Sequence, residues 1–331
     1  MFKPVARLVG HSADVVRGRI SPDSTTIATG SADKCLILWD ASRGDPIQQF
    51  SDHSREITDV SYHGSGYGVF TSCMDGYIRL FDSRSGGNHP VLQLPRKPRS
   101  AETPEELTCL AAGNNPNSPV LVSGSSTGNI VFYDVRKATE TISAFAHYNT
   151  ICSLEMSPND SLLVSSSLDS TMRVWSASRC DCLMTVDSGI SNPAPCVYGG
   201  FTADGSGLIG LFLNSAIQRW ELSDRVYCKG KLVGPARMSN STKTFTKIPG
   251  GGIAVPSEDG TVHFLSLAGG VVQPATKAHA DDVLSVDCVG DLLVSTGAGE
   301  DSSGVIWVRD THTLDYKLSY HLVSPQIEGL I

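Results

Sequence analysis

Between Gly10 and Asp40 the chain alternates short apolar runs with polar turns, and no run keeps a helical period. Val15 and Ile20 bracket a first apolar segment, Pro22-Asp23 breaks it, and Thr26-Ile27-Ala28-Thr29 begins another. A polar turn, Gly30-Ser31-Ala32-Asp33-Lys34, leads into a third segment with Leu36, Leu38 and Trp39 apolar, closed by Trp39-Asp40. Short runs of this kind bounded by turn residues predict β-strands. The whole unit then recurs. Asp52-His53 opens the next copy, Ile57-Thr58-Asp59-Val60 is its first strand, and Met74-Asp75-Gly76 its central turn, with Phe81 standing where Trp39 stood.

Seven copies can be followed along the chain, with turn positions at 33, 75, 127, 169, 214, 259 and 301. Their spacings of 42, 52, 42, 45, 45 and 42 residues describe one period with one insertion. A period of about 40–45 residues made of four short strands is the signature of a propeller blade. The expected blades cover approximately 10–50, 51–94, 107–145, 146–186, 192–230, 240–277 and 278–313, all within one domain, 1–331. An exposed insertion is expected at 95–106 and a tail at 314–331. A helical solenoid is excluded because the segments are too short and too rich in β-branched residues. Each unit alone would expose an apolar sheet face, so the blades must stack radially into an all-β seven-bladed propeller. Closing the ring needs one strand from outside the blade seven segment. Val5–Val9 has no earlier blade of its own and is expected to supply it, in preference to the competing tail segment Leu314–Tyr320.

Composition narrows the function classes. The chain of 331 residues is 40% hydrophobic and 18% charged, with 32 Gly and 17 Pro for its many turns. A net charge of −8 argues against a broad nucleic-acid surface, and Arg96, Lys97 and Arg99 read as a solvated loop. Nine scattered Cys without a CxxC pair indicate reduced thiols in a cytosolic or nuclear protein. Met1-Phe2-Lys3-Pro4 lacks the apolar core of a signal peptide, and no window of 18 apolar residues spans a membrane.

Candidate chemistry comes down to one recurring constellation. His11, His53, His147 and His279 recur with Asp33, Asp75, Asp169 and Asp301, and with Trp39, Trp175 and Trp307, beside Ser and Thr. The residue types suggest a hydrolase triad. A catalytic site, however, is used once, whereas this set returns with every well-formed blade. It is expected to be a framework of mutually hydrogen-bonded buried groups. Gly250-Gly251-Gly252 lacks the Lys-Ser/Thr of a phosphate loop, zinc-type spacing is missing, and Glu105-Glu106 reads as solvated. No metal, no cofactor and no enzymatic activity are expected.

These repeats resemble the WD-repeat family. Within it the chain is most similar to the WD-repeat protein five type, a scaffold of SET-domain histone H3 lysine 4 methyltransferase complexes. The resemblance is carried by Leu8 to Asp40, Ile57–Val60, Leu162–Ser167, Cys182–Thr185 with Asn192-Pro193, and Gly297–Asp301. It implies a monomeric scaffold, located in the nucleus with the cytoplasm as the alternative, that holds arginine-bearing peptides, such as the histone H3 tail or methyltransferase subunits, between two aromatic rings at the channel mouth. Carried over by position, the lining residues are Ala32, Thr58, Met74, Thr108, Ser126, Cys152, Leu168 and Phe245. Phe245 would supply one ring of the clamp, while Thr108 stands where the other is expected. The alternative is a WD-repeat scaffold of another assembly, such as a ubiquitin ligase, a ribonucleoprotein or a trafficking complex.

Overall fold

A computed structural model of the chain describes residues 1–95, 105–187, 194–222, 227–233, 244–267 and 270–310. The centre of the expected insertion (96–104), Asn192-Pro193 and the tail 314–331 lie outside the described residues. No helix among the described residues is long and apolar enough to cross a membrane.

Among the described residues, twenty-eight strands form seven four-stranded antiparallel sheets. Blade one shows the plan: Val15–Ile20 is innermost, Thr26–Ser31 and Leu36–Asp40 follow, and Pro46–Phe50 is outermost. The other innermost strands are Ile57–Tyr62, Leu107–Ala112, Ile151–Met156, Cys196–Phe201, Thr246–Ile248 and Val283–Val289. Burial falls from the second strand to the fourth. Thr26–Ser31 and Leu162–Ser167 are buried at five of six positions, because both faces lie against neighbouring sheets. The outer strands Pro46–Phe50 and Thr139–Phe145 are mostly exposed. Continuous Val/Ile/Ser/Thr runs in the second strands, without polar alternation, are the sequence trace of that two-sided burial.

The turn between second and third strands needs one residue in the left-handed region. Lys34 (φ 71°), Gly76 (81°), Gly128 (83°), Ser170 (71°), Ser215 (62°) and Gly260 (80°) occupy it in blades one to six. At Gly128 a Cβ would also come within 2.0 Å of the His147 carbonyl oxygen, so glycine is required there twice over.

The ring closes through the N-terminal strand. Phe2–Val9 pairs antiparallel with Ser303–Arg309, from Phe2 opposite Arg309 to Val9 opposite Ser303, with a register shift between Pro4 and Ala6. The strand begins earlier than the apolar pattern suggested, and its first residue carries a lock of its own. The Phe2 ring stacks on Phe264 of blade six at 5.7 Å, and Gln273 takes both backbone groups of Phe2, at 2.7 Å and 3.1 Å. Arg7 adds an ion pair to Asp301 and a 2.8 Å bond to the Ala278 carbonyl.

Candidate functional site

The recurring polar residues are internal. His11 bonds Asp33 (2.9 Å) and Thr29 Oγ1 (2.7 Å), and the Trp39 indole donates to the same hydroxyl at 2.7 Å. Blade four repeats this with His147, Asp169, Ser165 and Trp175. In blade seven His279 and Trp307 meet on Ser295, with Asp301 3.2 Å from His279. Burial alone would raise the Asp33 carboxyl, but donors from His11, Ser12 and Cys35 outweigh it and hold the pKa at about 2. The imidazole and hydroxyl in each set bond one another inside a blade and tie the loop ahead of the inner strand to the second strand.

Two blades reach the same end with other residues. In blade two Asp75 accepts from Arg79 (2.9 Å) and Ser54, while His53 turns its Nε2 to Thr71 at 2.8 Å. In blade three, where His and Asp are missing, Glu105 reaches in from the preceding loop. It accepts from Ser125 (2.5 Å), from Asn129 (2.8 Å) and from Thr127. Glu105, expected to be solvated, is therefore a structural acid.

Most of the residues expected to line the channel share one end of it. Ala32, Met74, Ser126 and Leu168 each donate a backbone N–H to the chain just ahead of their own blade's inner strand: to Asp14, Glu56, Glu106 and Thr150, at 2.9–3.1 Å. Thr58, Thr108 and Cys152 sit at the starts of the neighbouring inner strands. All seven are half-buried, and none is aromatic. Thr58 bonds Ser72 and Thr108 bonds the Ile151 carbonyl, while burial pushes the Cys152 thiol up to about 12, far from nucleophilic. Leu213 and Ala298 make the same backbone bond, to Pro195 and Asp282, and complete this upper rim in blades five and seven. They were missed because the turn position of blade five holds Asn214 rather than an aspartate, and because a 3-10 turn at Gly299–Asp301 separates Ala298 from Asp301.

Phe245 is not at this mouth. In blades two, four and seven, Asp59, Ser153 and Ser285 cap a backbone N–H of the next inner strand, at Leu110, Gly199 and Gly18. In blade six Thr244 does this, toward Val286 at 3.3 Å. Thr58 and Cys152 stand one residue before the capping position, and Phe245 stands one residue after it. Its ring is 2% exposed and sits edge-on to Tyr198 at 4.8 Å, inside the contact between blades five and six. Neither ring of the expected clamp is in place.

The loops around the upper rim are predominantly acidic. Among the described residues they hold Asp14, Glu56, Glu106, Glu258, Asp259, Asp281 and Asp282, besides the framework acids, against Lys34 and Arg55. Arg55 lies over Met74 and pairs with Glu106 at 2.7 Å, both ends well exposed, which makes the pair weak.

The opposite, lower end of the channel holds a cavity of about 510 Å³ to which all seven blades contribute. Its charged residues are Arg19, Glu155, Lys247 and Asp287. Arg19 pairs with Asp287 (3.3 Å) and donates to the Val60 carbonyl, and Lys247 pairs with Glu155 (2.6 Å). Tyr198 donates to Glu155 at 3.0 Å. The sequence signal for these residues was charge inside an innermost strand, as in Val15-Val16-Arg17-Gly18-Arg19-Ile20.

Residues 2–40, 44–82 and 139–176 match the family described as WD domain, G-beta repeat. The chain carries WD40 repeats. Each matching segment holds the three inner strands of blade one, two or four together with the outer strand of the blade before it, which for the first segment is the closing strand Phe2–Val9. Several characterised proteins are similar over part of the chain. Periodic tryptophan protein 2 homolog of Dictyostelium discoideum is 28% identical over 217 residues, 65% of this chain and 22% of that protein. A guanine nucleotide-binding protein subunit beta of Zea mays is 29% identical over 178 residues, 51% of this chain and 45% of its own. The U5 small nuclear ribonucleoprotein 40 kDa protein of Dictyostelium discoideum is 26% identical over 174 residues, 52% of this chain and 46% of its own. The chain thus spans about a fifth of the first relative and under half of the other two.

Proposed function

We propose that this WD40 propeller is a non-catalytic scaffold subunit of a multi-subunit or ribonucleoprotein assembly. The observation that carries the reading is the upper rim, a half-buried floor of small and apolar residues surrounded by acidic loops on a rigid ring. Loops held by a stiff frame suit the recognition of partner segments, and the charge favours basic ones. The relatives' names, those of a G-protein subunit and a nuclear ribonucleoprotein component, support this role and a nuclear or cytoplasmic location. They support it over membership of a histone H3 lysine 4 methyltransferase complex. The absence of aromatics from Ala32, Thr58, Met74, Thr108, Ser126, Cys152 and Leu168 weighs the same way, since a guanidinium between two π faces gains about 1–2 kcal/mol from each. On this reading those seven residues form a peptide-docking floor without an arginine clamp.

Affinity purification of the full chain from its own cells, followed by mass spectrometry, tests the proposal. A fixed set of stoichiometric partners without methyltransferase subunits is expected. Recovery of the chain alone would refute the scaffold role. Tight binding of an arginine-bearing histone H3-tail peptide, lost in a Met74→Glu variant, would restore the methyltransferase reading.

A further inference from the structure

The lower cavity goes beyond the docking role of the upper rim, because its polar groups are divided between wall and lumen. Glu155 and Asp287 belong to the wall. Glu155 Oε1 accepts from the Phe201 N–H (3.0 Å) and Oε2 from Tyr198, while Asp287 Oδ2 accepts from the Ile20 N–H (2.9 Å). Each carboxylate thereby covers an N–H on the free edge of the next blade's inner strand, a group that would otherwise be unpaired. They are fixed by the fold.

The two cations are less fully used. Lys247 has three ammonium hydrogens, and its bond to Glu155 takes one. Arg19 has five N–H donors, of which Nε goes to Val60 and one Nη1 to Asp287, with the Tyr198 hydroxyl alongside. Both side chains keep part of their surface open, 22% for Arg19 and 29% for Lys247. Both also contact Glu155 or its partner Tyr198, which brings them to one side of the cavity. The remaining walls are mostly apolar, with Ile20, Tyr62, Leu154, Met156, Phe245 and Val289, interrupted by Ser61, Asn114 and Thr246.

We propose that this lower channel mouth binds a carboxylate carried on an apolar body, the chemistry of a peptide C-terminus or an acidic residue beside an aliphatic one. Arg19 and Lys247 hold the carboxylate with donors the fold leaves over, and the apolar walls hold the body. A single negative charge suits the site. Glu155 and Asp287, which cannot turn away without uncovering Phe201 and Ile20, repel a dianion such as phosphate.

Methyl-resolved NMR of the full chain tests this with four probes: N-acetyl-L-leucine, N-acetyl-L-leucinamide, N-acetyl-aspartyl-leucinamide and inorganic phosphate. The acid is expected to shift the methyls of Ile20, Leu154, Met156 and Val289, leaving Met74 and Leu168 at the upper rim unmoved. It should bind on the order of tenfold or more tighter than the amide, as charged hydrogen bonds allow. Lys247→Met should remove that preference for the acid while the methyl spectrum away from the cavity stays native. Internal and C-terminal carboxylates are then separated by comparing N-acetyl-leucine with N-acetyl-aspartyl-leucinamide. Equal binding of acid and amide, shifts confined to the upper rim, tighter binding of phosphate, or an unchanged preference in Lys247→Met would each overturn the proposal.

Discussion

Blades one and two follow each other in the chain, carry His and Asp at matching positions, and are wired differently. In blade one Asp33 is held by His11, and Trp39 completes the set through Thr29. In blade two the residue opposite in the repeat to Ile37 is Arg79, and Phe81 replaces Trp39. Arg79 holds Asp75 through two bonds, beside the one from Ser54, and the His53 ring lies against Thr71 and the Phe81 ring, 5.6 Å away. Blade four carries Arg173 at the register position of Arg79 and still keeps its His147–Asp169 bond, so an arginine there permits the exchange of partner without enforcing it. A motif match therefore identifies the place of a network in the fold but not its bonds.

The largest effect should come from Arg79→Met. It would strand Asp75, 8% exposed, without its cation, and breaking a buried pair from one side costs roughly 3–5 kcal/mol. Urea denaturation should show that loss, whereas Ile37→Met at the equivalent place in blade one should cost less than about 1.5 kcal/mol. Equal losses would mean that the two blades do not differ in the way described.

Acid should separate the blades next. Burial, reinforced by the charge of Arg79, lowers the His53 pKa to about 4 from an ordinary 6.5. The unfolded chain then takes up that proton before the folded one does. The contribution from blade two is whole above about pH 6.5 and declines as pH falls toward 4. Asp33 behaves differently. Its pKa is lowered to about 2 from 3.8, so its contribution is complete above about pH 4 and is lost only below that. A His53→Gln variant should flatten the stability profile between pH 6.5 and 4, and Asp33→Asn should flatten it only below 4. Imidazole NMR that finds His53 titrating near 6.5 would remove the distinction.

The smallest test lies in the turns. Lys34 (φ 71°) and Gly76 (φ 81°) share the left-handed position. Lys34→Gly should stabilise blade one by about 0.5–1 kcal/mol, and Gly76→Ala should destabilise blade two by about 1–2 kcal/mol. Thermal melts with opposite signs are the expected result.

The ring itself was legible because its physical requirement repeats. Every blade needs a turn, a two-sided buried second strand and a polar set, and those needs print the same letters at Asp33, Asp75, Asp169 and Asp301. What did not repeat was harder to read. Glu105 does the work of a missing His and Asp from a loop that the period skips. Phe2 looks like a lone apolar residue until Phe264 and Gln273 are beside it. Blade six has a turn at Gly250-Gly251 so short that counting back from it misplaces Phe245 by two positions, whereas the hydroxyl of Thr244, matched to Asp59, Ser153 and Ser285, gives the right register. Arg19, Glu155, Lys247 and Asp287 come together only when four separate strands are bent round one axis, and a linear pattern does not contain that curvature.

The closing strand has a mechanical side as well. Phe2 and Arg309 face each other at the same end of their ladder. A tension applied across that pair would load the backbone bonds one rung after another, rather than all of them in shear. Blade seven is then the seam of the ring. Under pull it would open progressively from Phe2 toward Val9, with the stacked ring and the Gln273 clasp as the first resistance met, while the six blades made from single continuous stretches of chain remain whole.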